Sequence, residues 1–228
     1  MAGLKVPLVI ALDVPGRGAA LELADRLLPV TPWMKVGLEL FTAAGPEVVS
    51  ALKGMGCKVF LDLKFHDIPN TVAGAVRSAI RTGADICNVH VSGGEEMCRA
   101  AAKAALEERS AGLRCVLLGV TVLTSTTATG NTAAQVLEYS LKARAWGLDG
   151  VVCSGQEAAA VKQANKGDIL CLCPGIRPAG YGAEDDQNRI LTPEQAVRAG
   201  ADYLVVGRPV TKAPDPALAA REIISSYI

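Results

Sequence analysis

A chain of 228 residues, half of them hydrophobic, is long enough for one large domain or two small ones and can bury a sizeable core. Lysine plus arginine and aspartate plus glutamate both number 23, which argues against a broad nucleic-acid footprint or a polybasic membrane surface while leaving room for a local cationic pocket. Seven cysteines without a CxxC pair, no signal peptide and no apolar run of bilayer length predict a soluble, cytoplasmic protein whose cysteines are small core residues.

Residues 7–13 form a continuous apolar run ending in Asp13, the pattern of a strand covered on both faces. Residues 16–28 read as an Ala- and Leu-rich helix, stopped near Pro29 and Pro32. Residues 33–37 are a second strand, carrying Lys35, and 41–54 a helix with Thr42 and Pro46 near its start. Residues 57–63 are a buried strand, and at its end Asp62, Lys64 and Asp67 make the pattern Asp-x-Lys-x-x-Asp. Residues two apart share a strand face, so Asp62 and Lys64 project together. Asp67 falls in the loop before Pro69, whose ring disfavours helix at Ile68. Helix 71–81 follows, closed by Gly83. Further strands cover 84–90, 113–121, 150–153, 169–173 and 201–206, and the helices between and after them 95–108, 133–145, 156–164, 193–199 and 216–226.

Eight strands, each followed by a helical stretch, predict a parallel sheet with right-handed crossovers. The length suits an α/β fold of the (β/α)8 TIM-barrel type, a single domain over residues 1–228. An open doubly wound sheet is the second reading. It favours a Gly-rich turn after the first strand, and Asp13-Val-Pro-Gly-Arg-Gly-Ala-Ala matches that fingerprint only in part.

Chemistry in such barrels gathers where strands run out into loops. Those positions hold Asp13, Lys35, Asp62, Lys64, Asp67, His90, Thr121, Thr124 and Ser125, then Pro174-Gly175-Ile176-Arg177 with Gln187 further out, and Gly207-Arg208. An isolated Asp-x-Lys reads as a structural ion pair, but alternating charges on successive strand ends suggest one network. In the last two loops, Gly175 and Gly207 let backbone N–H groups approach an anion, and Arg177 and Arg208 add bidentate donors, as a phosphate site needs. No metal is expected: His66 and His90 are the only histidines, and Lys64 already supplies positive charge between Asp62 and Asp67. A Schiff-base role for Lys64 is a further alternative. Neighbouring carboxylates favour its ammonium form, so it reads as an acid rather than a nucleophile.

The blocks Ala11-Leu-Asp13, Lys35-Val-Gly37, Asp62-Leu-Lys-Phe-His-Asp-Ile-Pro-Asn-Thr71, Val120-Thr-Val-Leu-Thr-Ser125, Pro174-Gly-Ile-Arg177, Asp186-Gln187 and Val205-Val-Gly-Arg208 together resemble the orotidine 5'-phosphate decarboxylase family in its bacterial form. The Asp-x-Lys-x-x-Asp element alone also fits sugar-phosphate decarboxylases and synthases of the same superfamily, such as a magnesium-dependent 3-keto-gulonate 6-phosphate decarboxylase. The resemblance implies a cofactor-free decarboxylation of orotidine 5'-phosphate to uridine 5'-phosphate, the last step of pyrimidine synthesis. It implies a charged network of Lys35, Asp62, Lys64 and Asp67, with Lys64 protonating the C6 carbanion. Asp13 and Lys35 would hold the ribose, Thr124 and Ser125 read the base, and Pro174, Gly207, Arg177, Gln187 and Arg208 surround or grip the phosphate. It also implies a homodimer in which Asp67 and Thr71 enter the neighbouring site, with no nucleic acid or membrane as partner.

Overall fold

The computed structural model describes residues 6–123, 131–181 and 189–228. Among them the apolar runs pair in sequence order as a closed parallel barrel of eight strands. These are β1 (Leu8–Ala11), β2 (Trp33–Gly37), β3 (Lys58–Phe65), β4 (Ile86–His90), β5 (Val116–Val120), β6 (Gly150–Val152), β7 (Leu170–Cys173) and β8 (Tyr203–Val206), with β8 pairing back to β1. The helices are α1 (Arg17–Leu27), α2 (Leu38–Ala44), α3 (Glu47–Gly54), α4 (Pro69–Arg81), α5 (Gly94–Ser110), α6 (Thr132–Ala145), α7 (Gly155–Ala164), α8 (Pro193–Arg198), α9 (Arg208–Thr211) and α10 (Pro216–Ser225). The (β/α)8 expectation holds, and the closure of β8 on β1 rules out the open sheet.

Alternation along each strand separates two apolar layers. Leu8, Ile10 and Leu12 pack outward under the helices, whereas Val9 and Ala11 point inward. The inward cluster continues with Phe60, Ile86, Leu118, Val152, Leu172 and Val205. Beneath it the rings of Trp33 and Tyr203, at the starts of β2 and β8, meet edge-on with centroids 5.3 Å apart. Moving up four adjacent strands, this inward series turns polar: Ala11 is followed by Asp13, Trp33 by Lys35, Phe60 by Asp62 and Ile86 by Asn88. The apolar plug thus leaves one open end, and the charges sit in it.

The opposite end is fastened by a repeated device. Gly83-Ala84-Asp85, Gly147-Leu148-Asp149 and Gly200-Ala201-Asp202 each lead from a helix into an even-numbered strand, and each glycine has a positive φ, between 88° and 97°. The aspartates accept the N–H of Val59 (2.8 Å), Leu117 (2.7 Å) and Cys171 (2.7 Å) on the preceding strand. Each also pairs with a cation from the helix that leads into that preceding strand: Lys53 of α3 at 2.6 Å, Arg109 of α5, and Lys162 of α7 at 2.6 Å.

Three local differences from the sequence reading have clear causes. The single helix over 41–54 is two, because Gly45 (φ 65°) and Pro46 interrupt it and the first part begins at Leu38. Helix α4 starts at Pro69 rather than Thr71, with Ile68 extended before the proline. The short α9 after β8 was not foreseen, four residues being too few to show a period.

Candidate active site

At the open end the Lys35 side chain, only 11% exposed, spans two carboxylates. Its Nζ lies 3.0 Å from Asp13 Oδ1 and 3.6 Å from Asp62 Oδ2. Lys64 Nζ donates to Asp62 Oδ1 at 2.7 Å, and Asn88 Nδ2 donates to the same oxygen at 2.8 Å. Burial alone pushes the Asp62 carboxyl upward. The Lys35 and Lys64 ammoniums, with the hydrogen bonds from Lys64 and Asn88, outweigh that and hold it below the ordinary carboxylate value. Gly37 gives this network its room: a Cβ there would stand 2.7 Å from Lys35 Nζ and 3.3 Å from Asp13 Oδ1.

Simple strand alternation does not explain how Lys64 meets Asp62. The β3–β4 register shifts between Leu61 and Phe65, and Lys64 sits at φ 52°, a left-handed conformation shared among the described non-glycine residues only with Lys166. Such a residue costs about 1–2 kcal/mol. Asn88, fully buried, offsets it by accepting the Lys64 backbone N–H through Oδ1 at 2.8 Å while its Nδ2 binds Asp62. One amide therefore fixes both partners. His90, two residues further up β4, lies with its ring 5.4 Å from that of His66. Burial, then the His66 and Lys64 charges, lower its pKa from the ordinary 6.5.

Of these groups Asp13, Lys35, Asp62 and Lys64 line a cavity of about 550 Å3. Val120, Val122, Leu123, Val152 and Leu172 make one wall apolar, whereas Arg177, Arg208 and Lys212 converge on another beside Gly175 and Gly207. Arg177 is buried, donates from Nη1 to the Ile176 carbonyl at 2.9 Å and lies over the Tyr181 ring at 5.9 Å. Its backbone N–H is held by Leu191 O at 2.9 Å. Pro174 also lines the cavity. Among the described residues no group of three or more His, Cys, Asp or Glu side chains is arranged to hold a metal ion. What the site offers is an ammonium pinned by a carboxylate, an apolar face and a cationic end within one cavity.

A family model described as "Orotidine 5'-phosphate decarboxylase / HUMPS family" matches residues 6–223. The chain belongs to that family. It is 57% identical over 226 residues to the orotidine 5'-phosphate decarboxylase of Nitratidesulfovibrio vulgaris, covering 96% of each chain. It is 50% identical over 233 residues to the corresponding protein of Pseudomonas aeruginosa, covering 99% of each. Among solved structures it is similar to orotidine 5'-phosphate decarboxylase from Lactobacillus acidophilus, with a TM-score of 0.84 and 35% identity over 97% of this chain and 99% of that one.

Of the residues expected at the family's site, Asp13, Lys35, Asp62, Lys64, Pro174, Arg177, Gly207 and Arg208 line the one cavity. Asp67 and Thr71 do not. Both are exposed, and Asp67 turns its carboxylate back onto the Ile68 N–H at 2.6 Å. Thr124, Ser125 and Gln187 lie outside the described residues. Thr121, at the end of β5, is buried, with its hydroxyl on Val152 O at 2.9 Å. The sequence reading passed over Asn88, Arg189, Glu39 and Lys212. Asn88 had a usable signal, being a polar residue at an inward position of an otherwise apolar strand. Arg189 had none, because its partners are 32 to 67 positions away.

Proposed function

We propose that this protein decarboxylates orotidine 5'-phosphate to uridine 5'-phosphate without a cofactor, in the last step of UMP synthesis. One observation carries the reading: an ammonium locked 2.7 Å from a buried carboxylate shares a cavity with two arginines suited to a phosphate. With the phosphate at Arg177 and Arg208, and Asp13 and Lys35 at the ribose, the base lies between the apolar wall and Lys64. The bond from C6 to the carboxylate carbon breaks, carbon dioxide leaves and the electron pair stays on C6. The Lys64 ammonium opposes that developing charge, then transfers a proton to C6. Solvent reprotonates the amine.

The exposed Asp67 and Thr71, beside Ile68 at 67% exposure, support a homodimer in which they complete the partner's site. Thr124, Ser125 and Gln187 stay assigned to the base and phosphate from the sequence blocks. Seven buried, unbridged cysteines support a cytoplasmic location, and no described helix is long and apolar enough to cross a membrane.

The test follows the loss of orotidine 5'-phosphate absorbance, with and without a magnesium chelator. Turnover that survives chelation and disappears in Lys64→Ala, while UMP still binds, is the expected result. Chelator-sensitive turnover of a sugar phosphate instead, or a well-folded Lys64→Ala protein with wild-type rates, would overturn it.

A further inference from the structure

Arg189 does not line the cavity, yet its environment is unusually constrained. Its side chain is 3% exposed. Nη1 donates to Glu157 Oε1 at 2.5 Å, and Nη2 donates to two carbonyls, Val122 O at 3.1 Å and Leu123 O at 3.0 Å. Its own carbonyl accepts the Ser154 hydroxyl at 3.3 Å. One guanidinium thereby ties the segment leaving β5 to the first turn of α7 and to the chain that leads into α8.

This arrangement is a poor way to gain stability. Both charges are buried, with Glu157 only 10% exposed, and Arg189 Nε and Glu157 Oε2 have no hydrogen-bond partner among the described residues. Apolar side chains of similar volume commonly do as well as a buried ion pair, or better. What apolar side chains cannot do is hold two consecutive carbonyls in a fixed plane. Those carbonyls belong to Val122 and Leu123, two of the five residues on the apolar side of the cavity.

We propose that Arg189 is a positioning residue for the base-binding wall. It sets the backbone of Val122 and Leu123, and with it the face against which the pyrimidine ring lies, without touching substrate; Glu157 holds the guanidinium at the correct angle. The inference rests on the decarboxylase reading above, since that reading places the ring on this wall and the phosphate on the far one.

The decisive variant is the double change Arg189→Met with Glu157→Met, which removes both charges and keeps the volume. Thermal stability should stay near wild type. Affinity for ribose 5-phosphate should be unchanged, affinity for UMP should fall about tenfold, and kcat/KM for orotidine 5'-phosphate should fall about 10–100-fold, as a wall displaced by about an ångström implies. If the pair serves only to neutralise charge, the double variant regains the wild-type ratio of UMP to ribose 5-phosphate affinity, and the proposal is wrong. Arg189→Lys decides the matter even if the double variant does not fold. It keeps a charge opposite Glu157 but lacks the planar fork that serves a carboxylate and two carbonyls together, so the same selective loss is expected. A wild-type ratio there also overturns the proposal. An inactive wild-type enzyme would remove the decarboxylase reading and this inference with it, whereas an active one with unaltered variant ratios removes the inference alone.

Discussion

Replacing Asn88 by alanine tests how the site is held together. The residue is fully buried and its amide makes two 2.8 Å hydrogen bonds, one to the Asp62 carboxylate and one from the Lys64 N–H. A hydrogen bond to a charged group contributes about 1.5–3 kcal/mol, and an orphaned buried N–H costs about 1–3 kcal/mol. Against that, the left-handed backbone at Lys64 can relax once released, recovering about 1–2 kcal/mol. The net expectation from these same terms is a loss of about 0.5–5 kcal/mol in urea unfolding, centred near 3. Relaxation is also what damages catalysis. A Lys64 ammonium displaced by about an ångström should cost about 100-fold in kcat, while KM changes little because the cationic wall is untouched. Steady-state kinetics and UMP titration on the folded variant separate the two effects. A variant less than about 0.5 kcal/mol destabilised, with kcat intact, would refute the claim that one amide fixes both Asp62 and Lys64.

At the closed end of the barrel, Asp149→Ala should cost about 1–3 kcal/mol in urea unfolding by stranding Arg109 and the Leu117 N–H, with kcat unchanged because the site lies at the other end. Gly37→Ala places a Cβ 2.7 Å from Lys35 Nζ, so crystallography of a normally folded variant should show Lys35 displaced from Asp13 and kcat/KM should fall about tenfold or more. Stability should drop with acidification in two windows. His90 has a depressed folded pKa, so the unfolded chain takes up the proton first and stability is lost as pH falls from 6.5 toward the folded value. Asp62, also depressed, contributes fully above its ordinary 3.8 and loses its contribution as pH falls through its folded value. His90→Gln should flatten only the upper window in urea unfolding measured across pH. If phosphate binding at Arg177 and Arg208 drives the reaction, Arg208→Ala should lower kcat/KM severely. Added phosphite should also speed wild-type turnover of a substrate lacking its phosphate, and no rescue at any concentration would remove that link.

The barrel was legible because eight apolar runs such as residues 7–13 and 201–206 lack polar alternation, and between each pair lies a helix-length polar-apolar stretch. The charged strand ends were legible for the complementary reason that a lysine or aspartate ending such a run must be paired. Less visible were features created by contacts distant in sequence. Asp62 and Lys64 were expected together on one strand face, and they do meet, but through a register shift and a left-handed Lys64 that only Asn88 on the next strand supports. No local pattern announces a bulge in a parallel pair. The break at Gly45-Pro46 was readable in principle, since glycine then proline is a standard interruption, yet the apolar positions on both sides continue in phase and masked it.

The geometry also limits what Lys64 can supply. At 2.7 Å from Asp62 the attraction is roughly 6 kcal/mol at an effective dielectric near 20, before desolvation. That attraction exists before substrate binds, so it positions the Lys64 side chain without itself lowering the barrier. In the proposed reaction only the interaction with charge appearing at C6 would do so, and enzymes achieve about 8–23 kcal/mol in total, so binding at the cationic and apolar walls would have to supply much of the rest. Giving up its proton in that reaction, moreover, would deprive Asp62 of one cation. Lys35 remains 3.6 Å from Asp62 Oδ2 and Asn88 remains on Oδ1, so the buried carboxylate keeps a charge partner and a hydrogen bond when Lys64 becomes neutral. A lone Asp–Lys pair would oppose proton delivery by nearly its whole attraction. A chain of Asp13, Lys35, Asp62 and Lys64 spreads that opposition, which is a physical reason for an acid to sit at the end of a network rather than in an isolated pair.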